Sequence, residues 1–292
     1  MIDYHVHLWP HGDPHATPTV DELAGYCQVA AASGVGEIAL TEHLYRFRSA
    51  RDAVGDFWAE EGADPALAAV IGPYWDEHCR ADLDTYVGVV EEAKAAGLPI
   101  RLGLEVDHYP GRMDVVGRLL EGYPFDVLLG SVHWLDIWML DYVEDPTSMA
   151  EWGRRGVDAA WRAYTDSLED LAGSGVCDVL AHPDLAKVAG HRPADAGLRL
   201  ELESRMAEAA AANGLAAEVS SAGWRKPAQE AYPSPTLLGL FHAAGVPVTT
   251  ASDTHGPGLV AHRSADLRVL VEQAGYDSLA GFDRRRIRPV PL

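Results

Sequence analysis

Seven short apolar runs recur along this chain, with longer stretches of helical periodicity between them, and that alternation leaves few folds open. The runs are Ile2–His7, Glu37–Thr41, Ile100–Val106, Asp126–Val132, Val176–His182, Ala216–Ser220 and Val246–Ser252. Between them lie alanine-rich, amphipathic stretches, among them Asp21–Ala32, Ala81–Ala96, Ser148–Gly173, Gly197–Asn213 and Ser234–Ala244. Gly34, Gly97, Gly214 and Gly245 stand where such helices would stop. Strand–helix alternation implies parallel strands joined by right-handed crossovers. Seven strands in 292 residues predict an α/β fold, a distorted (β/α)7 TIM-like barrel, with a doubly wound open sheet as the competing arrangement. The segment Arg51–Glu77 is less regular, acidic and aromatic (Phe57, Trp58, Tyr74, Trp75). It reads either as an excursion over the barrel mouth, a lid, or as a surface insertion. No linker, repeat or low-complexity tract divides the chain, so residues 1–292 are expected to form a single barrel domain.

Charge narrows the partners. With 44 acidic against 23 basic residues the formal charge is -21, which argues against nucleic acid, since phosphate backbones are held mainly by Lys and Arg. An anionic small molecule would need bound metals or a local basic patch to overcome that repulsion. No apolar run approaches a membrane span. The opening MIDYHVHLWP has neither a basic leader nor a signal core, so a cytoplasmic protein is expected. Cys27, Cys79 and Cys177 are scattered, as packing residues of a reducing compartment would be.

Metal-binding residue types sit at the ends of most of these runs. They are His5-Val6-His7, Thr41-Glu42-His43, Glu105-Val106-Asp107 after Gly103-Leu104, Gly130-Ser131-Val132-His133, Ala181-His182-Pro183-Asp184 and Ser252-Asp253-Thr254-His255. In parallel α/β barrels the C-terminal strand ends converge on one site. Residues two apart on a strand share a face, so His5 and His7 can chelate one ion. A lone histidine at a strand end is more often a hydrogen-bonded core or rim residue than a ligand. Six such sites at the same end of successive strands point instead to a metal cluster. Imidazole and carboxylate donors suit zinc, iron or manganese, and the scarcity of cysteine argues against a thiolate site.

The order H-x-H, T-E-H, G-L-E-x-D, G-S-V-H, A-H-P-D and S-D-x-H resembles the polymerase and histidinol phosphatase (PHP) family, in particular its histidinol-phosphate phosphatase branch. Further agreement lies in Gly190-His191-Arg192-Pro193, in Ser221-Ala222-Gly223-Trp224-Arg225-Lys226-Pro227 and in Tyr232-Pro233-Ser234-Pro235. The resemblance implies a distorted seven-stranded barrel holding two to three divalent metal ions. It assigns His5, His7, Glu105 and Asp253 to a first ion, and Glu105, His133 and His182 to a second, with Glu105 bridging. His43 and His255 would hold a third, completed by a histidine after the H-x-H pair. Both His11 and His15 are available there, and the match of the run His15–Leu23 to the family's entry into its first helix selects His15. Asp107 and Asp184 would orient ligand histidines or cap loops.

The chemistry implied is attack of water on the phosphorus of a phosphate monoester, with Glu105 and Asp253 at the reacting centre and no covalent phosphoenzyme. Arg192, Arg225 and Lys226 are candidate phosphate contacts, because guanidinium can grip phosphate with two nitrogens. His191 is a candidate proton donor to the leaving alkoxide. Trp134 and Trp138 either wall the substrate or pack in the core. The resemblance favours L-histidinol phosphate, a small anionic phosphate ester of histidine biosynthesis, over other phosphate esters. A metal-dependent amidohydrolase also starts with H-x-H and ends with Asp, but it places a bridging lysine on a middle strand where this chain offers Glu105.

Overall fold

The computed structural model describes residues 1–10 and 17–292. Its parallel strands begin with β1 (Ile2–His7), β2 (Glu37–His43), β3 (Ile100–Asp107) and β4 (Val127–Ser131). A short hairpin follows, of β5 (Trp134–Leu135) and β6 (Trp138–Met139), and then β7 (Val179–Leu180), β8 (Ala216–Ser220), β9 (Val248–Ala251) and β10 (Thr254–His255). The sheet order is β10-β1-β2-β3-β4-β7-β8-β9. β9 and β10 are two halves of one run broken at Ser252 and Asp253, where Asp253 takes a left-handed φ of 51°. Parallel pairing of Val6 with Thr254 and of His7 with His255 therefore brings the last strand position back to the first. Below the break, the Thr250 hydroxyl donates to the Ile2 carbonyl at 2.6 Å, and the Ser252 amide to the Asp3 carboxylate at 2.8 Å. The seven expected strand positions thus curl into the expected barrel.

The helices are α1 (Val20–Ala32), α2 (Arg48–Val54), α3 (Pro65–His78), α4 (Leu83–Ala95), α5 (Met113–Leu120), α6 (Pro146–Arg155), α7 (Val157–Gly173), α8 (Ala196–Ala212), α9 (Pro235–Ala243) and α10 (Ser264–Gln273). Side-chain caps start many of them. Thr19 and Glu22 form a reciprocal capping box on α1, and Asp82, Asp145, Asp195 and Ser234 cap α4, α6, α8 and α9. None of the described helices is long and apolar enough to cross a membrane.

Three features depart from the sequence expectation. The stretch Ser148–Gly173 is two helices, because Gly156 adopts φ 83° and turns the chain between α6 and α7. β7 is far shorter than Val176–His182, since the Asp178 carboxylate takes the Leu128 amide (2.8 Å) in place of a backbone partner. A C-terminal hairpin of β11 (Ser278–Asp283) and β12 (Arg286–Pro291) covers the end of the barrel away from the metal-binding residue types. It is tied there by the Phe282 amide on the Tyr4 hydroxyl (3.1 Å) and the Arg285 amide on the Asp126 carbonyl (2.8 Å).

Small residues set the strand spacing near the site. A Cβ on Gly103 would lie 2.7 Å from the Val127 carbonyl and 2.8 Å from a Thr41 methyl, so β2, β3 and β4 close up only around glycine. Gly130 gives the same clearance to the Cys177 sulfur. All three cysteines are free and buried. The segment from Arg51 to Glu77 runs through α2 and α3 and is anchored by aromatic rings. Trp75 is fully buried and packs against Tyr45, Phe57, Trp58, Tyr109 and Trp134.

Candidate metal centre

Eight of the nine expected ligand residues come together at the C-terminal strand ends. His5, His7 and Asp253 form one group whose ligand atoms lie within 4.8 Å of one another; His5, Glu105 and His182 form a second. His43, Glu105 and His133 form a third, and His7, His43 and His255 a fourth. His15, with the competing His11, lies outside the described residues. The strand pleat puts His5 and His7 on one face of β1, and a register shift between Asp3 and Val6 adjusts their approach to β2. His182 and Asp253 both have left-handed backbones, with φ 27° and 51°, where the chain turns off its strand toward the site.

Glu105 is the hub, and its two oxygens face different imidazoles. Oε2 lies 3.3 Å from His5, 3.6 Å from His7 and 2.7 Å from His43. Oε1 lies 2.9 Å from His182 and 3.3 Å from His133. The carboxyl is fully buried, yet the surrounding imidazoles hold it well below the usual carboxylate range. Burial would depress His5, but Glu218, Glu105 and Asp253 hold it well above the ordinary imidazole value. Likewise Glu105, Asp107 and Asp141 outweigh burial at His133 and hold it up to about 10. His43 goes the other way, driven well down by burial and by the charge of His7. Such a set demands positive charge at its centre.

Two of the inner histidines, His133 and His5, are gripped from behind by a carboxylate. Asp107 accepts from His133 Nδ1 at 2.6 Å, as one of the two sequence readings expects, and burial pushes its own carboxyl up to about 6. Glu218 accepts from His5 Nδ1 at 2.7 Å and from the His182 amide at 3.3 Å. Glu42 lies 3.6 Å from His7 Nδ1 and accepts the Leu8 and Trp9 amides at 2.5 and 3.0 Å. The sequence names Glu42 only within Thr41-Glu42-His43 and gives no sign of Glu218 at a strand end. An acid within the otherwise apolar run Ala216–Ser220 was the available signal. Asp184 does not touch the His182 ring; it pairs with Lys187 (2.7 Å) and caps the Ser234 amide (2.8 Å), so loop capping is its role. Carboxylates behind ligand histidines fix the tautomer and raise donor strength. Glu218→Gln is therefore expected to weaken metal binding by roughly 10- to 100-fold. Competition against a chromophoric chelator measures it, and an unchanged affinity would show that Glu218 does not act through His5.

The other expected contacts are placed less simply. Arg225 donates through one nitrogen to the Ser252 and Asp253 carbonyls, both at 2.8 Å, and through another to His262 at 3.2 Å. Its guanidinium thus fixes the turn that presents Asp253, rather than standing free for phosphate. Arg192 is paired with Glu230 at 3.0 Å, and Lys187 shares that carboxylate. Lys226 makes no ion pair among the described residues and lines a cleft beside the site. His191 packs against Trp152, ring centroids 5.0 Å apart, outside the four groups, which does not suit a proton donor. Trp134 is buried in the aromatic cluster with its indole N–H on the His108 carbonyl (3.2 Å). Trp138, also buried, donates to the Ser148 carbonyl at 2.9 Å, so both tryptophans are core residues rather than a substrate wall.

The PHP domain matches this chain over residues 3–222. A Deinococcus radiodurans protein named "probable histidinol-phosphatase" is 30% identical over 295 residues, covering 99% of each chain. Two solved structures share the fold. The histidinol phosphate phosphatase of Lactococcus lactis, crystallised with zinc, L-histidinol and phosphate, aligns with a TM-score of 0.68 and 21% identity over 98% of both chains. A Listeria monocytogenes protein assigned as a histidinol phosphatase aligns with a TM-score of 0.70 and 17% identity, covering 91% of this chain and 99% of that one.

Proposed function

The chain belongs to the PHP domain family, and from that membership we propose that it is a metal-dependent phosphomonoesterase converting L-histidinol phosphate into L-histidinol and phosphate. The observation that carries the reading is Glu105, one carboxylate whose two oxygens each face a separate set of imidazoles. A carboxylate so placed can bridge two cations, which an imidazole cannot. The relative from Deinococcus, matched over its whole length, bears the corresponding name, and the Lactococcus enzyme was crystallised with L-histidinol and phosphate.

The donors fit divalent ions. His5 Nε2, both ring nitrogens of His7 and Glu105 Oε2 are buried without a hydrogen bond among the described residues. We assign His5, His7, Glu105 and Asp253 to one ion and Glu105, His133 and His182 to another. His43 and His255 go to a third, with His15 as its further candidate. Zinc, iron or manganese suits these donors. Bound there, such ions would acidify a water molecule and draw charge off the phosphoryl oxygens. The chain's part is to hold the geometry. Glu218 and Asp107 set the His5 and His133 rings, Glu42 holds the Leu8 and Trp9 amides that follow His7, Arg225 sets the Asp253 turn, and Lys226 is the cation open to a phosphate oxygen. We take the whole chain as one barrel domain, with the segment 51–77 as a fixed wall rather than a swinging lid, because Trp75 and its partners root it in the core.

Phosphate release from L-histidinol phosphate, by protein reconstituted separately with zinc, manganese and iron, tests the reading. A kcat/KM far above that for p-nitrophenyl phosphate is expected. Weak, indiscriminate release would keep the phosphoesterase and discard the substrate. Release from neither, with turnover of an amide or cyclic imide, would overturn both.

A further inference from the structure

The loop from Ser252 to Ala261 carries Asp253 and His255, which fall into different groups of the metal-binding cluster. Its backbone is bent into the left-handed region at both ends, with φ 51° at Asp253 and 59° at Ala261. Neither residue is glycine. Such a backbone is unfavourable for a residue with a Cβ and lasts only where its surroundings over-determine it. Between these ends the sheet fixes the register, pairing Val6 with Thr254 and His7 with His255.

Two side chains of opposite charge hold the base of this loop, and each reaches both of its ends. Asp3 is buried in the barrel; its Oδ1 accepts the Ser252 amide and its Oδ2 the Ala261 amide, both at 2.8 Å. Arg225, from the segment after β8, donates through Nη2 to the Ser252 and Asp253 carbonyls, both at 2.8 Å. Its Nη1 donates to His262 Nδ1 at 3.2 Å, and the Ser221 hydroxyl meets the same nitrogen at 3.2 Å. Ser252 is thus held by its N–H from one side and by its C=O from the other. Hydrogen bonds to ionised groups are about twice as strong as neutral ones, and a buried amide that loses its acceptor finds no water to replace it. Asp3 also lies on β1, two residues before His5, so the strand that presents His5 and His7 sets this loop as well.

We propose that Asp3 and Arg225 are paired positioning residues: by closing the base of the Ser252–Ala261 loop they hold Asp253 and His255 against His5 and His7. They thereby set the affinity of the first and third ions. The second ion, at Glu105, His133 and His182, draws on strands that neither residue touches. The inference rests on the metal-dependent phosphomonoesterase reading and its ligand assignment, and adds what keeps the last two ligands in a strained loop.

The test titrates zinc against a chromophoric chelator, with stoichiometry by atomic emission, in wild type, Asp3→Asn and Arg225→Met. Asparagine keeps the shape but turns an N–H toward one of the two amides, so one hold is lost. Losing a hydrogen bond to a charged group costs roughly 10- to 100-fold, and Asp3→Asn is expected to weaken two equivalents by that factor while one stays as tight as in wild type. Amide exchange at Ser252 and Ala261 should quicken in the metal-free variant. Arg225→Met, at a half-buried position, should give the same selective weakening by about 10-fold, which keeps the test open if Asp3→Asn fails to fold. Adding Ala261→Gly to either variant should restore about 5-fold, because glycine adopts the left-handed backbone without being held there. A general loss of packing would not respond to that change. Equal weakening of every equivalent, unchanged affinities, or no recovery with Ala261→Gly overturns the assignment. A wild type that binds metal but releases no phosphate would end the phosphomonoesterase reading alone, and the same titration would still decide the loop's holders. A wild type that binds no metal would end both.

Discussion

Glu105→Gln is expected to reduce kcat/KM for phosphate release by about 1,000-fold or more and to remove at least one equivalent of bound metal. Several kcal/mol of charge stabilisation come from each catalytic ion, and 1.4 kcal/mol is a factor of ten in rate. Glutamine keeps the volume of the buried side chain but gives up the charge and one of the two acceptor oxygens. The Oε1 side facing His133 and His182 and the Oε2 side facing His5, His7 and His43 could then no longer be served by one group. The histidines would stay in place, because Glu218 and Asp107 still hold His5 and His133 from behind. The fold should therefore survive while the centre is emptied of charge. Phosphate-release kinetics and atomic emission on the same preparation measure both effects. Full metal content with an unimpaired rate would end the bridging assignment.

Residues that ended an apolar run could be found in the sequence, and residues that lay within one could not. His5, His7, His43, Glu105, His133, His182, Asp253 and His255 were visible because a polar group closing a strand marks the barrel mouth, and the fold brings all eight together. Glu218 sits inside a strand whose neighbours are apolar. What identifies it is His5, 213 residues away in sequence, a pairing fixed only once the curling sheet brings β8 to within one strand position of β1. Arg225 was visible as a cation near the site, but its engagement with the Ser252 and Asp253 carbonyls depends on the left-handed turn at Asp253. The cleft that Lys226 lines is assembled from α3, from the segment after β6 and from the loop after β8, so no single stretch of chain carries its pattern. Local periodicity writes the barrel. The partners that tune the site are tertiary.

Removing metal is expected to lower the melting temperature by at least about 10 °C, with recovery on adding back zinc, manganese or iron. The cluster is an expensive thing to bury. His5, His7 and Glu105 are fully inaccessible, and His5 Nε2, both His7 nitrogens and Glu105 Oε2 make no hydrogen bond among the described residues. Each unsatisfied buried polar group costs about 1–3 kcal/mol, and crowded imidazoles add mutual repulsion. An ion at a thousandfold excess over its dissociation constant contributes about 4 kcal/mol to the folded state. In a chain somewhat larger than 250 residues, 1 kcal/mol moves the midpoint by roughly 2 °C or slightly less, so two ions give the expected shift. Scanning calorimetry before and after dialysis against a chelator, and again after reconstitution, measures it. If the chelated protein melts at the same temperature, the carboxylates alone suffice to satisfy these imidazoles, and the centre was not built around cations.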